Sequence, residues 1–321
     1  MLSDNRIRQE LDNVLGGTDF NVGKRISGKV RDSYLLPGGK RALVTTDRVS
    51  AFDCILGTIP FKGQVLNQLA AFWFEQTASI VPNHVISVPD PNVMIVRECG
   101  QLPLEFIVRG YITGVTSTSA WTNYAKGARV ICGNKLLDGL RKDQKLDHPI
   151  LTPTTKHEVH DRNISRDEAV SEGLIDGETF DKAADICFRL FDFGTKLAAK
   201  RGLILVDTKY EIGLLDGQLV VSDEVHTPDS SRYWYTDTYD ELFAAGKDQR
   251  KLDKEYVREW LAARGFRGEG TPPVLTDEVR IEAAKRYITA YEQITGREFV
   301  PAEGDIADRI GKALAEAVNG K

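Results

Sequence analysis

The sequence predicts an α+β chain that is β-rich over its first hundred residues and helical towards its end. Three observations predict it. Short strand-like runs separated by turn residues crowd the first hundred positions, one long amphipathic pattern leads into a β-hairpin over 178–225, and residues 252–318 are helical in pattern. The 321 residues suffice for one large or two ordinary domains with a core that needs no staples.

Residues 30–36 read as a strand ending at Pro37-Gly38-Gly39, a turn signal, and residues 41–46 as the strand that returns. Residues 65–78 have helical spacing, with Leu66, Leu69, Phe72, Trp73 and Phe74 on a broad apolar face. Residues 93–98 and 104–112 are further strands. Residues 113–165 have poor periodicity and many Thr, Ser, Gly, Asn, Pro and Asp, the composition of a long irregular segment that is functional or mobile. Ser165-Arg166-Asp167-Glu168 has the S-x-x-E form of a capping box, so a short helix starts there. Residues 178–200 make the clearest helix: Phe180, Ala183, Ala184, Cys187, Leu190, Phe191 and Leu197 trace one face, and Gly202 is the stop. Residues 203–213 are a strand, Asp216-Gly217 a tight turn, and residues 218–225 the returning strand. Helices are expected over 252–264, 276–295 and 305–318, amphipathic enough to pack on the domain or on a second subunit.

Composition narrows the function classes. Forty-two Lys and Arg against 47 Asp and Glu give a net charge of −5, which disfavours a nucleic-acid coat or an anionic-membrane binder. No stretch approaches the roughly 18 apolar residues of a membrane span. The start, Met1-Leu2-Ser3-Asp4-Asn5-Arg6, lacks a basic-then-apolar signal pattern. Cys54, Cys99, Cys132 and Cys187 are too scattered for a zinc ribbon or redox pair, and read as reduced thiols of a cytoplasmic protein. Trp121, Trp234 and Trp260 read as core. His157-Glu158-Val159-His160-Asp161 has H-x-x-H spacing, not H-E-x-x-H, and no clear helix carries it, so a transition-metal site is disfavoured.

The hairpin over 203–225 carries the chemistry. An extended run puts Leu203, Leu205, Asp207, Lys209 and Glu211 on one side and Ile204, Val206, Thr208, Tyr210 and Ile212 on the other. Three charges thus follow one another on a single face, and Asp223 and Glu224 end the returning strand. Magnesium takes hard oxygen ligands, commonly one or two carboxylates plus nucleotide phosphates, and a lysine beside them holds a phosphate as a point charge. A solvated strand face with cross-strand ion pairs fits the same pattern. Arg232 is expected on a loop beyond a Pro-Asp-Ser turn, suited to a phosphate or carboxylate or to an ordinary surface role. Gly28-Lys29-Val30-Arg31 opens a strand with two basic residues but is neither a Walker A loop nor G-x-G-x-x-G.

These segments occur in order with Leu43 to Asp53 (Leu-Val-Thr-Thr-Asp-Arg-Val-Ser-Ala-Phe-Asp), Ile59-Pro60-Phe61-Lys62-Gly63, the run from Pro103 to Gly114, and Leu151-Thr152-Pro153-Thr154-Thr155-Lys156. Together with Val206-Asp207-Thr208-Lys209-Tyr210-Glu211 and Ser222-Asp223-Glu224, they closely resemble the SAICAR synthetase family, from about Gly28 to the helix around Arg258. The resemblance implies a two-lobe fold similar to protein kinases and ATP-grasp enzymes: a β-rich N-terminal lobe expected at 15–103, a larger α+β lobe expected at 104–321 with extra C-terminal helices, and ATP between the lobes. It implies an ATP- and Mg2+-dependent ligase of purine biosynthesis. That ligase joins L-aspartate to the carboxylate of 5-amino-1-(5-phosphoribosyl)imidazole-4-carboxylate (CAIR) through an acyl phosphate, with no nucleic-acid or membrane partner.

Residue by residue, the resemblance places Lys29 and Arg31 against the ATP phosphates and Glu105 beside the crossing that faces the adenine. It makes Lys209 a phosphate- or substrate-contacting group and Glu211 and Asp223 the magnesium ligands, the three forming the catalytic set. It assigns Arg109 and Arg232 to the CAIR phosphate and Ser50, Phe52 and Asp53 to the CAIR and aspartate site. Asp253-Lys254 and Arg258 fall on a helix that closes over the substrate. The family often has a serine directly after the glycine of the Thr-Gly turn, where this chain has Val115; Thr116, Ser117 or Ser119 would have to supply that hydroxyl. A small-molecule kinase and a nucleotide-sensing module use the same nucleotide constellation, and differ from the ligase in their products.

Overall fold

The computed structural model describes residues 2–51, 54–156, 161–252, 255–266 and 268–319. Its contacts divide the chain into two units, one of residues 1–75, 84–98 and 252–321, the other of residues 76–83 and 99–251.

The first unit opens with the short helix α1 (Asp4–Arg8), whose first turn donates to Ser3 Oγ at 3.3 Å. Strands β1 (Lys24–Ser27), β2 (Arg31–Leu36) and β3 (Lys40–Thr45) follow, then β4 (Arg48–Ala51) and β5 (Cys54–Thr58), helix α2 (Lys62–Thr77), and strands β6 (Val85–Asp90) and β7 (Val93–Arg97). The five strands of the main sheet run antiparallel in the order β1-β2-β3-β7-β6, while among the described residues β4 and β5 form a separate two-stranded sheet. The expected hairpin at Pro37-Gly38-Gly39 is the β2–β3 turn, with both glycines at positive φ. Helix α2 begins earlier than the apolar spacing predicts. Gly63 lies in its first turn, where a Cβ would come within 2.4 Å of Thr45 O, so only glycine lets the helix start this close to β3.

The second unit contains β8 (Gly100–Ile112), α3 (Ala120–Ala125), β9 (Val130–Ile131), β10 (Asn134–Lys135), β11 (Gln144–Leu151), β12 (Thr154–Thr155), α4 (Arg166–Ser171), α5 (Gly177–Ala199), β13 (Leu203–Leu215), β14 (Gln218–Ser222), β15 (Ser231–Tyr235) and α6 (Thr236–Ala244). Its sheet runs β11-β8-β13-β14, with β12 also on β8 and β15 also on β13. The expectation of an irregular 113–165 is corrected. Much of that stretch is built of short elements around Ile112, Ala120, Tyr124, Ile131 and Leu146, and two-residue strands leave no periodic signal. Ser165 caps α4 with the reciprocal bonds expected of its S-x-x-E run. Residues 231–235, expected as loop, form β15, so Arg232 stands on a strand.

Helix α5 covers one face of this sheet, and a bulge decides which residues it covers. β13 and β15 shift register between Leu205 and Asp207, so Val206 is an extra residue on β13. Leu205 therefore faces α5 at Gly194, and so does His226, the ring partner of Tyr210. Phe106, opposite Tyr210, meets Phe180 of α5. Val206 instead joins Tyr111 and Trp234 on the far face, with Ile204 packed against them. Simple alternation would put Leu203 and Leu205 with the charges. The bulge reverses the parity, so Asp207, Lys209 and Glu211 continue the face of Ile204 and Val206.

The chain then returns to the first unit with α7 (Glu255–Ala262), α8 (Asp277–Thr295, capped by Thr276) and α9 (Ile306–Val318, capped by Asp305). Ile310, Ala313 and Leu314 of α9 pack with Tyr34, Leu36, Ala42, Val44, Val93 and Ile95 of the main sheet. Arg309 pairs with Asp90 and donates to Asn92 Oδ1 at 3.3 Å. Residues 252–321 therefore group with the N-terminal sheet, whereas the sequence placed them in the 104–321 lobe. An amphipathic helix announces a buried face but not which sheet will bury it.

Candidate active site

The face of the second sheet opposite α5 carries two adjoining charge clusters, set by the β8–β13 register. Glu211 lies opposite Glu105, Lys209 opposite Ile107 and Asp207 opposite Arg109. Two glutamates directly across a ladder repel one another. Lys209 relieves this: its Nζ is 2.6 Å from Glu211 Oε1 and 3.0 Å from Glu105 Oε1. Lys156, just beyond β12, pairs with the other Glu211 oxygen, and Thr154 Oγ1 donates to Glu105 Oε2 at 3.4 Å.

Burial works against both charges in the Lys209–Glu211 pair. It pushes the Lys209 ammonium down, but Glu211, Asp223 and Glu105 more than reverse this and hold it above the usual lysine range. It pushes Glu211 up, but Lys209 and Lys156 hold the carboxyl well below the usual range. Asp223 follows Ser222, the register partner of Glu211. Its backbone is left-handed, at φ +59°, which ends β14 there rather than at residue 225. An aspartate tolerates that conformation better than a β-branched residue would.

The second cluster holds two arginines on one carboxylate. Asp207 Oδ2 accepts from Arg109 Nη1 at 3.1 Å and from Arg232 Nη1 at 2.6 Å. Arg109 also donates to Thr152 Oγ1 at 2.7 Å and to Thr118 O at 3.4 Å. Burial lowers the Arg109 pKa while Asp207 opposes that shift. Two guanidiniums sharing one carboxylate leave one net positive charge, a setting for a phosphate group.

The sequence motifs assign no role to Asp207, Thr152, Thr154 or Lys156. The usable signal for Asp207 was its place two residues before Lys209 on a charged face. Lys156 had none, since its contact spans 55 residues. Of the three hydroxyls weighed against Val115, Thr116 and Ser117 are exposed. Ser119 is buried, donates to Thr116 O at 2.7 Å and lies 2.9 Å from Thr122 Oγ1.

The remaining candidates belong to the first unit. Lys29 is at the tip of the β1–β2 hairpin, Arg31 opens β2, Ser50 is half-buried in β4, and Arg258 is on α7. Phe52, Asp53, Lys254, His157 and His160 lie outside the described residues. Among the described residues no three His, Cys, Asp or Glu side chains group as a metal site. Glu211 and Asp223 are hard oxygen donors of the kind that suits a magnesium ion completed by phosphate oxygens.

Comparison with known proteins shows the family of the chain. The SAICAR synthetase family profile matches residues 24–273. The chain belongs to the SAICAR synthetase family. It is 51% identical over 298 residues to the phosphoribosylaminoimidazole-succinocarboxamide synthase of Legionella pneumophila (strain Lens), covering 91% of this chain and 95% of that one. It is 47% identical over 322 residues to the chloroplastic synthase of Arabidopsis thaliana, covering 98% of this chain and 78% of that one. Among solved structures, the Saccharomyces cerevisiae SAICAR synthase complexed with SAICAR aligns with a TM-score of 0.77. Its identity is 31%, over 89% of this chain and 100% of that one. A SAICAR synthetase in complex with ADP aligns with a TM-score of 0.66 at 25% identity, over 87% of this chain and 100% of that one. The two-lobe α+β architecture implied by the sequence motifs is thus the architecture of SAICAR synthetases.

Proposed function

We propose that this chain is the ATP-dependent ligase that condenses CAIR with L-aspartate to give SAICAR, ADP and phosphate in purine biosynthesis. The observation that carries the site reading is the single sheet face on which Glu105, Lys209 and Glu211 adjoin Arg109, Asp207 and Arg232. One end presents carboxylates with an ammonium between them, and the other presents paired guanidiniums.

The chemistry follows from these charges. A carboxylate resists an amine at neutral pH because its oxygen is a poor leaving group. A CAIR carboxylate oxygen attacks the γ-phosphorus, the bond to ADP breaks, and an acyl phosphate results. The aspartate amine then attacks the acyl carbon, phosphate leaves, and the amine loses a proton. Glu211 and Asp223 would hold Mg2+, which when bound supplies charge neutralisation on the phosphates. Lys209 offsets the charge that develops on the transferred group. Its attachment to Glu105 and Glu211 fixes the ammonium before any substrate arrives. Arg109 and Arg232 hold the CAIR phosphate, with Asp207 orienting both.

Lys29 and Arg31 contact the triphosphate in this reading, and Glu105 orients Lys209 rather than touching adenine alone. Ser50, Phe52, Asp53, Lys254 and Arg258 serve the CAIR and aspartate side. The four cysteines are free thiols, as suits the cytoplasm. Among the described residues no helix is long and apolar enough to cross a membrane.

A coupled ADP-release assay with CAIR and aspartate each omitted in turn tests the assignment. ADP release that needs both substrates supports it. A stable phosphorylated product formed without aspartate would make the chain a kinase.

A further inference from the structure

Arg48, the first residue of β4, is buried and points beneath the β1–β2 hairpin. Its guanidinium donates to Gly28 O at 2.9 Å, to Lys29 O at 3.1 Å and to Gly16 O at 3.1 Å. It also pairs with Asp32 at 2.9 Å. Thr46 takes the next carbonyl: Val30 O accepts from Thr46 N at 3.0 Å and from Thr46 Oγ1 at 2.8 Å. The carbonyls of three successive residues, 28 to 30, are thus held from one side. The peptides are trans, so the N–H groups of residues 29 to 31 turn to the opposite side. Successive amides turned the same way form a concavity suited to an anion.

Every residue of β1 is exposed, so no apolar side chain anchors that strand. Asp32 anchors the guanidinium. It is fully buried and also accepts from Thr18 N at 2.8 Å, Thr18 Oγ1 at 2.9 Å and Ser27 Oγ at 2.8 Å. Burial alone would raise its pKa, but Arg48, Ser27 and Thr18 bring it down to about 2, so the partner of Arg48 stays ionised. A planar fork reaches two carbonyls and a carboxylate together, whereas a lysine is a point charge on a flexible stem.

We propose that Arg48, backed by Asp32, is a positioning residue that sets the Gly28–Arg31 turn in its phosphate-binding form. This rests on the reading of Lys29 and Arg31 as phosphate contacts. The test measures kcat and the KM of each substrate for Arg48→Lys, Thr46→Val, Lys29→Ala and the Arg48→Lys/Lys29→Ala double variant, with melting temperatures. Arg48→Lys is expected to raise the KM for ATP about tenfold while the KM values for CAIR and aspartate stay within about twofold. In the Lys29→Ala background the same change is expected to add less than about threefold.

An equal rise in all three KM values, or a folded Arg48→Lys enzyme with unchanged KM for ATP, overturns the proposal. If Arg48→Lys does not fold, Thr46→Val decides. A rise confined to ATP of about threefold supports the proposal, and no rise overturns it. Lys29→Ala with unchanged KM for ATP would overturn the underlying phosphate reading. A rise in Lys29→Ala with none in Arg48→Lys overturns only the positioning role.

Discussion

Replacing Asp207 by asparagine separates charge from shape at the arginine cluster. Asp207 and Arg109 are each only 5% exposed at the side chain, while Arg232 is 25% exposed. The substitution leaves Arg109 buried without its counter-ion, and breaking a buried ion pair on one side costs about 3–5 kcal/mol. The amide keeps one acceptor oxygen and Arg232 regains water, so the low end applies, about 3 kcal/mol. At about 2–4 °C per kcal/mol for a domain of this size, the melting temperature should fall by about 6–12 °C. The two guanidiniums then share a neutral amide in place of a carboxylate, so a small anion should help the variant more than the parent. Thermal unfolding followed by circular dichroism, with and without millimolar inorganic phosphate, reads both effects. The KM for CAIR should rise about tenfold or more, since the arginines lose their common anchor. A variant that melts within about 2 °C of the parent and keeps its KM for CAIR would refute the reasoning.

Two further outcomes can be stated. Asp223→Asn should abolish ATP turnover in a protein whose circular dichroism and melting profile stay intact; near-normal turnover would remove Asp223 from the metal-binding role. Asp32, held at about 2 against a usual 3.8, contributes stability that is complete above about pH 4 and is lost as pH falls through about 2. Urea unfolding from pH 6 to pH 2 should show about 2 kcal/mol less acid destabilisation in Asp32→Asn than in the parent. Parallel curves would mean that the Asp32 carboxyl binds protons equally in both states.

Part of the charge cluster was legible because charges on consecutive same-face positions are conspicuous in a strand. Asp207, Lys209 and Glu211 showed that pattern, and the structure brings Lys209 and Glu211 together with Glu105. The packing beneath them was not legible, since one bulge residue, Val206, reverses the face on which Leu203 and Leu205 fall. Local chemistry was readable where its partners are near in sequence, as in the Ser165 cap and the Gly38-Gly39 turn. It was hidden where partners are distant, as with Lys156 on Glu211 or Arg48 under Lys29. Residues 231–235 gave no strand signal because Ser231 and Arg232 precede three consecutive aromatics, Tyr233, Trp234 and Tyr235, which do not alternate with polar residues. Helix α9 was legible as amphipathic, but its cover of β2, β3 and β7 was not.

That cover has a consequence for biosynthesis. The residues that seal the N-terminal sheet are made after the whole of residues 99–251, so a chain still on the ribosome carries Tyr34, Val44 and Ile95 without Ile310 and Leu314. Residues 99–251 can complete their own sheet while the first strands wait. The maturation order therefore runs against the order of synthesis, and truncation before α9 should yield aggregating rather than merely slow protein.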